Sequence, residues 1–158
     1  ISAGELDPLI VDVVAEHDVP YVAMHMKGDP RTMQSMTDYR DIVAEVVDYF
    51  RERTAQLRER GVRRIVVDPG FGFAKTLEQN YELLRGLHSL AELGYPVLAG
   101  VSRKSMIYKL LGTTPAEALN GTTALHWECL RQGAVILRAH DTREAVEVVR
   151  MFDQFMQA

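Results

Sequence analysis

Ile65-Val66-Val67-Asp68-Pro69-Gly70-Phe71-Gly72-Phe73-Ala74-Lys75 is an apolar run that ends on a carboxylate and passes into a glycine-rich loop carrying two aromatics. Three β-branched residues in a row, without polar alternation, read as a strand covered on both faces, as in a parallel sheet. Three further runs have the same form: Tyr21-Val22-Ala23-Met24-His25 after Pro20, Val97-Leu98-Ala99-Gly100-Val101 after Pro96, and Ala134-Val135-Ile136-Leu137 after Gly133.

Helical patterns separate the strands. Pro8 to His17 has a candidate cap in Asp7. Tyr39 to Arg60 places Ile42, Val43, Val46, Val47, Phe50 and Leu57 at helical spacing before Gly61. Glu78 to Leu93 repeats the pattern and stops at Gly94, and Pro115 to Arg131 stops before Gly133. Asp141 is a candidate cap for a last helix bearing Ala145, Val148, Val149, Phe152 and Phe155. The order is βαβαβαβα with a helix in front, as right-handed βαβ units require. A complete eight-unit barrel typically needs about 250 residues, and this chain has 158. Spacing alone therefore leaves two architectures open, a small open parallel sheet and the C-terminal half of a barrel.

Composition narrows the function classes. The chain is 47% hydrophobic and 25% charged, ordinary values for a globular protein. Eighteen Lys+Arg against 22 Asp+Glu give a net charge of −4, which speaks against a nucleic-acid partner but leaves room for a local anion site. Cys129 is the lone cysteine, so no intrachain disulfide framework is possible, and a reducing compartment fits. The chain has no apolar run long enough for a membrane span and no leader pattern, so a cytoplasmic protein without a membrane partner is expected.

In either architecture ligands bind at the C-terminal strand ends. Those ends are Met24-His25-Met26, Asp68 to Lys75, Gly100-Val101-Ser102-Arg103-Lys104-Ser105 and Arg138-Ala139-His140-Asp141. Asp68 can cap a turn, or form a pocket floor that accepts two parallel N–H bonds from a flat heterocycle. Phe71 suits an aromatic ligand as an exposed ring, or plugs the barrel end. Ser102 to Ser105 opens a short helix with hydroxyls and two cations, an anion site in which Arg103 and Lys104 oppose the helix dipole and call for a compensating charge. Arg138 and His140 fall on one face if the strand runs that far, and form a phosphate clamp beside Lys104. His17, His88 and His126 lie inside helices as surface or packing residues, and His25 reads as a structural strand-end histidine. Met24, Met26, Met33 and Met36 form a soft apolar group whose default role is packing. Dinucleotide, Walker and Ser/His/Asp patterns are absent.

Taken together, these segments resemble the dihydropteroate synthases, folate-pathway members of the pterin-binding barrel family. The resemblance runs from Met24-His25-Met26, Gly28-Asp29-Pro30 and Thr32-Met33-Gln34 through Asp68-Pro69-Gly70-Phe71-Gly72-Phe73-Ala74-Lys75 and Gly100-Val101-Ser102-Arg103-Lys104-Ser105. It continues through Asn120-Gly121-Thr122 to Arg138-Ala139-His140-Asp141. It implies an α/β fold of the (β/α)8 TIM-barrel type, with residues 1–158 as the C-terminal half carrying about the last four β/α units, and Ile1 as the remnant of a fourth-strand motif. It also implies that p-aminobenzoate displaces pyrophosphate from 6-hydroxymethyl-7,8-dihydropterin diphosphate. On this reading Asp68, Val22, Met24, Phe73, Gly100, Lys104 and Arg138 meet the pterin. Pro69, Lys104 and Ser105 lie at p-aminobenzoate, and Arg138 and His140 hold the diphosphate; Lys104, Arg138 and His140 are the catalytic set. Mg2+ sits on the leaving group, with its ligands expected in an N-terminal part that this chain lacks, and the protein is a homodimer. One alternative is the pterin-binding module of a methyltetrahydrofolate-dependent methyltransferase, which is not expected to carry Ser-Arg-Lys-Ser followed by Arg-Ala-His-Asp. A non-enzymatic phosphate-binding scaffold leaves Asp68, Phe71 and Phe73 without a purpose.

Overall fold

The computed structural model of the chain describes residues 2–28 and 31–157, and of Gln34 the backbone only. The expectations placed on Ile1, Asp29 and Pro30 lie outside the described residues. Four short strands, β1 (Tyr21–Met24), β2 (Ile65–Asp68), β3 (Leu98–Ala99) and β4 (Ile136–Leu137), run parallel in chain order. β1 and β2 pair in the register Val22 to Val66 and Met24 to Asp68, and β3 and β4 pair Leu98 to Ile136. The two pairs are joined by a bridge between Val67 and Val97. The two later strands are shorter than their apolar runs predict, because only two residues of each complete the ladder.

The helices are α1 (Leu9–His17), α2 (Ile42–Glu59), α3 (Leu77–Arg85), α4 (His88–Ala91), α5 (Ser105–Leu111), α6 (Leu119–Arg131) and α7 (Thr142–Gln157). Local chemistry sets their starts. The Asp41 side chain accepts from Ala44 N at 3.0 Å, and Thr76 with Gln79 forms a capping box at α3. Two expected helices are each divided. The pattern over 78–93 breaks at Gly86 into α3 and α4, and the pattern over 115–131 becomes a 3-10 turn at Pro115–Glu117 followed by α6. The helical stripe of α2 packs as its periodicity dictates, with Ile42, Val46, Val47, Phe50 and Leu57 buried. Among the described residues no helix is long and apolar enough to cross a membrane.

The strands are not covered evenly. Ala23, Val67 and Ala99 face the helices and have no exposed surface. The alternate set fares differently: Leu98 is buried, but Val22 and Val66 are half-buried and Ile136 is exposed. Met24 and Asp68, the last residues of β1 and β2, belong to that second set, and Gly100 and Arg138 continue it just past β3 and β4. The fold thus presents one packed face to its own helices, and turns its chemistry-bearing face the other way.

Candidate functional site

Asp68 closes β2 and is almost wholly buried. Its Oδ1 accepts from Gly70 N at 2.8 Å, which folds the Pro69-Gly70 turn back over the strand. That turn requires glycine: Gly70 has φ +68°, and a Cβ there would stand 2.0 Å from the His25 carbonyl oxygen. Asp68 Oδ2 has no hydrogen-bond partner. Arg138 Nη2 lies 3.1 Å from it as an ion pair, without the alignment of a hydrogen bond. A buried carboxylate oxygen left in this state is an acceptor poised for a ligand N–H.

Arg138 reaches Asp68 from the far end of the sheet by lying across Gly100, where a Cβ would come within 2.7 Å of Nη2. β4 ends at Leu137, so strand alternation does not reach His140, yet both side chains line one cavity of about 120 Å3 with Gly100, Ser102, Lys104 and Ala139. His140 is oriented by Ser102. The hydroxyl accepts from His140 N at 3.1 Å and lies 2.9 Å from Nδ1, so donation of its own hydrogen there leaves Nε2–H as the ring's outward donor. Lys104 donates from Nζ to the Phe71 carbonyl and stands 4.8 Å over the Phe73 ring. Burial pulls the Lys104 ammonium down to about 8, with Arg138 adding to the shift and Asp68 opposing it. The cavity lining is two cations, a hydroxyl and an imidazole with no carboxylate, which suits an anion.

The remaining expectations are distributed around this cavity. Arg103 is not part of the anion site. It pairs with both Asp141 oxygens at 2.9 and 2.7 Å and donates to the Pro115 and Ala116 carbonyls, while its own N–H is received by Thr122 Oγ1 at 2.9 Å. Asp141 is thus the compensating charge that this basic turn calls for, and its side chain ties the turn to α7 instead of capping the helix. The hydrogen bonds from Arg103 hold the Asp141 carboxyl below its ordinary range. Phe71 is fully buried in the core, so the exposed-ring reading does not hold. Phe73 is the aromatic that stays half-exposed. Val22 is half-buried, whereas Met24 and Pro69 are buried behind the Gly70 turn. Ser105 opens onto a separate cavity of about 220 Å3 with Gly72, Thr76, Asn80 and Lys109. Among the histidines, His17 and His88 are exposed, and His126 is buried against packing neighbours. Met24 and Met26 are buried, Met33 is half-buried and Met36 is exposed.

Three organising residues were not legible as such. Lys75 is buried, and its Nζ lies 3.1 Å from His25 Nδ1, 3.0 Å from the Gly70 carbonyl and 2.9 Å from the Phe73 carbonyl. Asn80 accepts from Gly72 N at 2.6 Å and donates to the Thr76 carbonyl. Ser102 holds His140, as above. The available signal was a lone lysine ending an otherwise apolar glycine–phenylalanine loop. His25 is the structural residue expected of it: burial and the neighbouring Lys75 and Lys27 charges push it down to about 3, and it stacks edge-on to Tyr49 at 4.9 Å.

The described residues include no group of three or more His, Cys, Asp or Glu able to hold a metal ion. The side chains lining the cavity are cationic or neutral donors, so these residues do not fit a magnesium ion.

The same fold recurs in known proteins. A dihydropteroate synthase from Synechocystis sp. is 42% identical over 156 residues, covering 97% of this chain and 54% of that protein. The dihydropteroate synthase of Thermus thermophilus in complex with 4-aminobenzoate matches with a TM-score of 0.90 at 41% identity, over 94% of this chain and 61% of that one. The structure of the same enzyme in complex with 6HMPPP matches with a TM-score of 0.91 at 40% identity, over 96% and 61%. The chain spans about half the length of the curated relatives it matches, and its four strands are part of an α/β barrel of TIM type. The family model described as pterin binding enzyme covers residues 1–140, a span that holds Asp68, Lys104, Arg138 and His140 together, and the chain belongs to that family.

Proposed function

We propose that the protein carrying this chain is a dihydropteroate synthase, and that residues 1–158 are the C-terminal half of its pterin-binding barrel. The amine of p-aminobenzoate forms a C–N bond to the hydroxymethyl carbon of 6-hydroxymethyl-7,8-dihydropterin diphosphate, the C–O bond to the diphosphate breaks, and pyrophosphate and the surplus amine proton leave. The observation that carries this reading is the buried Asp68 Oδ2, without a hydrogen bond, beside a cavity lined by Lys104, Arg138 and His140. One group accepts the N–H edge of a heterocycle and the other holds an anion, the two ends of a pterin diphosphate.

The chain's own residues divide the work. Asp68 takes the pterin N–H edge, with Val22, Met24, Phe73 and Gly100 around the ring. Arg138 leaves Asp68, stacks on the ring and turns its guanidinium to the diphosphate. His140 donates to the same group, and Lys104, held at Phe71 and Phe73, bridges pterin and p-aminobenzoate. Pro69 and Ser105 flank p-aminobenzoate. Stabilising the charge on the departing diphosphate is the largest contribution such a site can make. The magnesium implied by the family would supply positive charge to the leaving group, and its ligands are proposed to lie outside residues 1–158. We also propose a homodimer in the cytoplasm, supported by exposed Met151, Phe155 and Met156 on α7, where Phe155 meets Trp127 of α6 edge-on. The test is a coupled pyrophosphate-release assay on the complete protein with both substrates. Release that requires both supports the reading; release from neither pair, with folded protein, overturns it.

A further inference from the structure

Lys75 has no role in the assignments above, yet among the described residues it is the one lysine or arginine that is buried. Its three ammonium hydrogens have three acceptors, His25 Nδ1, the Gly70 carbonyl and the Phe73 carbonyl, at 3.1, 3.0 and 2.9 Å. These acceptors come from two places. His25 follows β1, whereas Gly70 and Phe73 are the ends of one tight turn after β2, closed by Phe73 N donating to the Gly70 carbonyl at 3.1 Å. Lys75 therefore pins that turn from beneath and fastens it to the neighbouring strand end. Asn80 pins the same turn at Gly72 N. What the turn sends outward is the Phe71 carbonyl and the Phe73 ring, and both hold Lys104. Burial brings Lys75 down to about 7, with Asp68 opposing the shift. In the charged form all three donors are used, and loss of the group takes a donor from the buried His25 ring and from the Phe73 carbonyl and leaves the Gly70 carbonyl with Phe73 N alone.

We propose that Lys75 is a positioning residue, whose ammonium fixes the Gly70–Phe73 turn so that Phe71 and Phe73 hold Lys104 at the mouth of the anion cavity. Its effect on pterin binding rests on the proposed function; its effect on Lys104 does not. The experiment separates the two. Residues 1–158 have four lysines, Lys27, Lys75, Lys104 and Lys109, so they contribute few resonances when the complete protein is labelled with 13Cε-lysine, and Lys104 is assigned by its loss in Lys104→Arg. Above the Phe73 ring, the Lys104 ε-methylene is shifted upfield. In Lys75→Met that upfield shift is lost, while Lys27 and Lys109 stay in place. In parallel, calorimetry with a pterin shows Lys75→Met about tenfold weaker, and no further loss when Lys75→Met is added to Lys104→Met. Where Lys75→Met does not fold, Lys75→Arg is used; its planar fork does not serve three converging acceptors, so the same changes appear in smaller measure. A folded variant that keeps the upfield Lys104 resonance, or losses that add in the double variant, overturns the proposal. A wild-type protein that binds no pterin removes the proposed function and leaves the resonance to decide the role of Lys75.

Discussion

Arg138 lies across the backbone of Gly100 and places Nη2 3.1 Å from Asp68 Oδ2, joining the end of the fourth strand to the end of the second over the third. The pair is unequal. Asp68 is 1% exposed and Arg138 45% exposed, so water screens the cation while the anion stays fixed. Moving Arg138 off Asp68 costs little, and a ligand N–H that takes its place restores the partner. A weak ion pair between a fixed acceptor and a movable donor therefore marks the place where a heterocycle enters.

Asp68→Asn tests the fixed half. One buried acceptor becomes an amide that presents a donor to a ligand donor, at a cost of about 1–3 kcal/mol, or roughly 5- to 150-fold in pterin affinity. Calorimetry on the complete protein reads this directly, and unchanged affinity removes Asp68 from the site.

Gly100→Ala tests the path of Arg138. The added Cβ stands 2.7 Å from Nη2, at the end of a flexible side chain, so the backbone tolerates it and the guanidinium moves. The melting temperature stays near wild type, while affinity for inorganic pyrophosphate falls. Arg138→Lys keeps the charge and loses the planar fork, so turnover drops sharply. A Gly100→Ala protein with wild-type pyrophosphate affinity shows that Arg138 works from elsewhere.

Lys104 sets an upper pH limit. Burial, with Arg138 nearby, brings it to about 8, so the cavity loses one of its cations as pH rises from 7 to 9. Pyrophosphate affinity falls over that interval in wild type, and is lower but flatter in Lys104→Met. A wild-type profile as flat as that of the variant denies Lys104 a place in the cavity.

His25 governs acid stability. Its folded pKa is about 3 against an ordinary 6.5, so between those values the unfolded chain binds a proton that the folded one does not. Stability therefore falls as pH drops from 6.5 toward 3, by roughly 3 kcal/mol at pH 4 from this group alone. His25→Gln keeps an acceptor for Lys75 and has no proton to gain. Urea unfolding at pH 7 and pH 4 shows a smaller acid loss in the variant; equal losses place the titration elsewhere.

The sequence made the strand ends legible because each apolar run stops at polar chemistry, a property of neighbouring residues. It also showed the helix faces, where a period of 3.6 repeats over many residues. What it did not show are relations between distant segments. Arg103 looks like a free cation until Asp141, 38 positions later, comes beside it. Phe71 looks exposed in a loop, although the Gly70 turn folds it inward. Lys75 reads as a loop-end charge because its partners are two backbone carbonyls and a histidine 50 residues away.

The uneven cover of the sheet yields the last prediction. Among the described residues, β1 is paired only with β2 and β4 only with β3, so each has one open edge. Parallel strands are ordinarily covered on both faces, and open edges invite pairing with another chain. Exposed apolar side chains are present as well: Leu9 and Val13 on α1, and Val135 and Ile136 at β4. Between β4 and α7 runs a groove of about 640 Å3 lined by Leu137, Ala139, Ala145, Val146 and Val149, with Arg138, Thr142 and Arg150 beside them. Patches of this kind drive association in water. The relatives continue for nearly as much chain again. Residues 1–158 produced alone therefore self-associate, and release no pyrophosphate from the proposed substrates, since these residues do not fit a magnesium ion. Sedimentation velocity and the coupled assay measure both properties. A discrete monomer that turns over p-aminobenzoate places the whole reaction on these four strands and overturns the proposed division of the site.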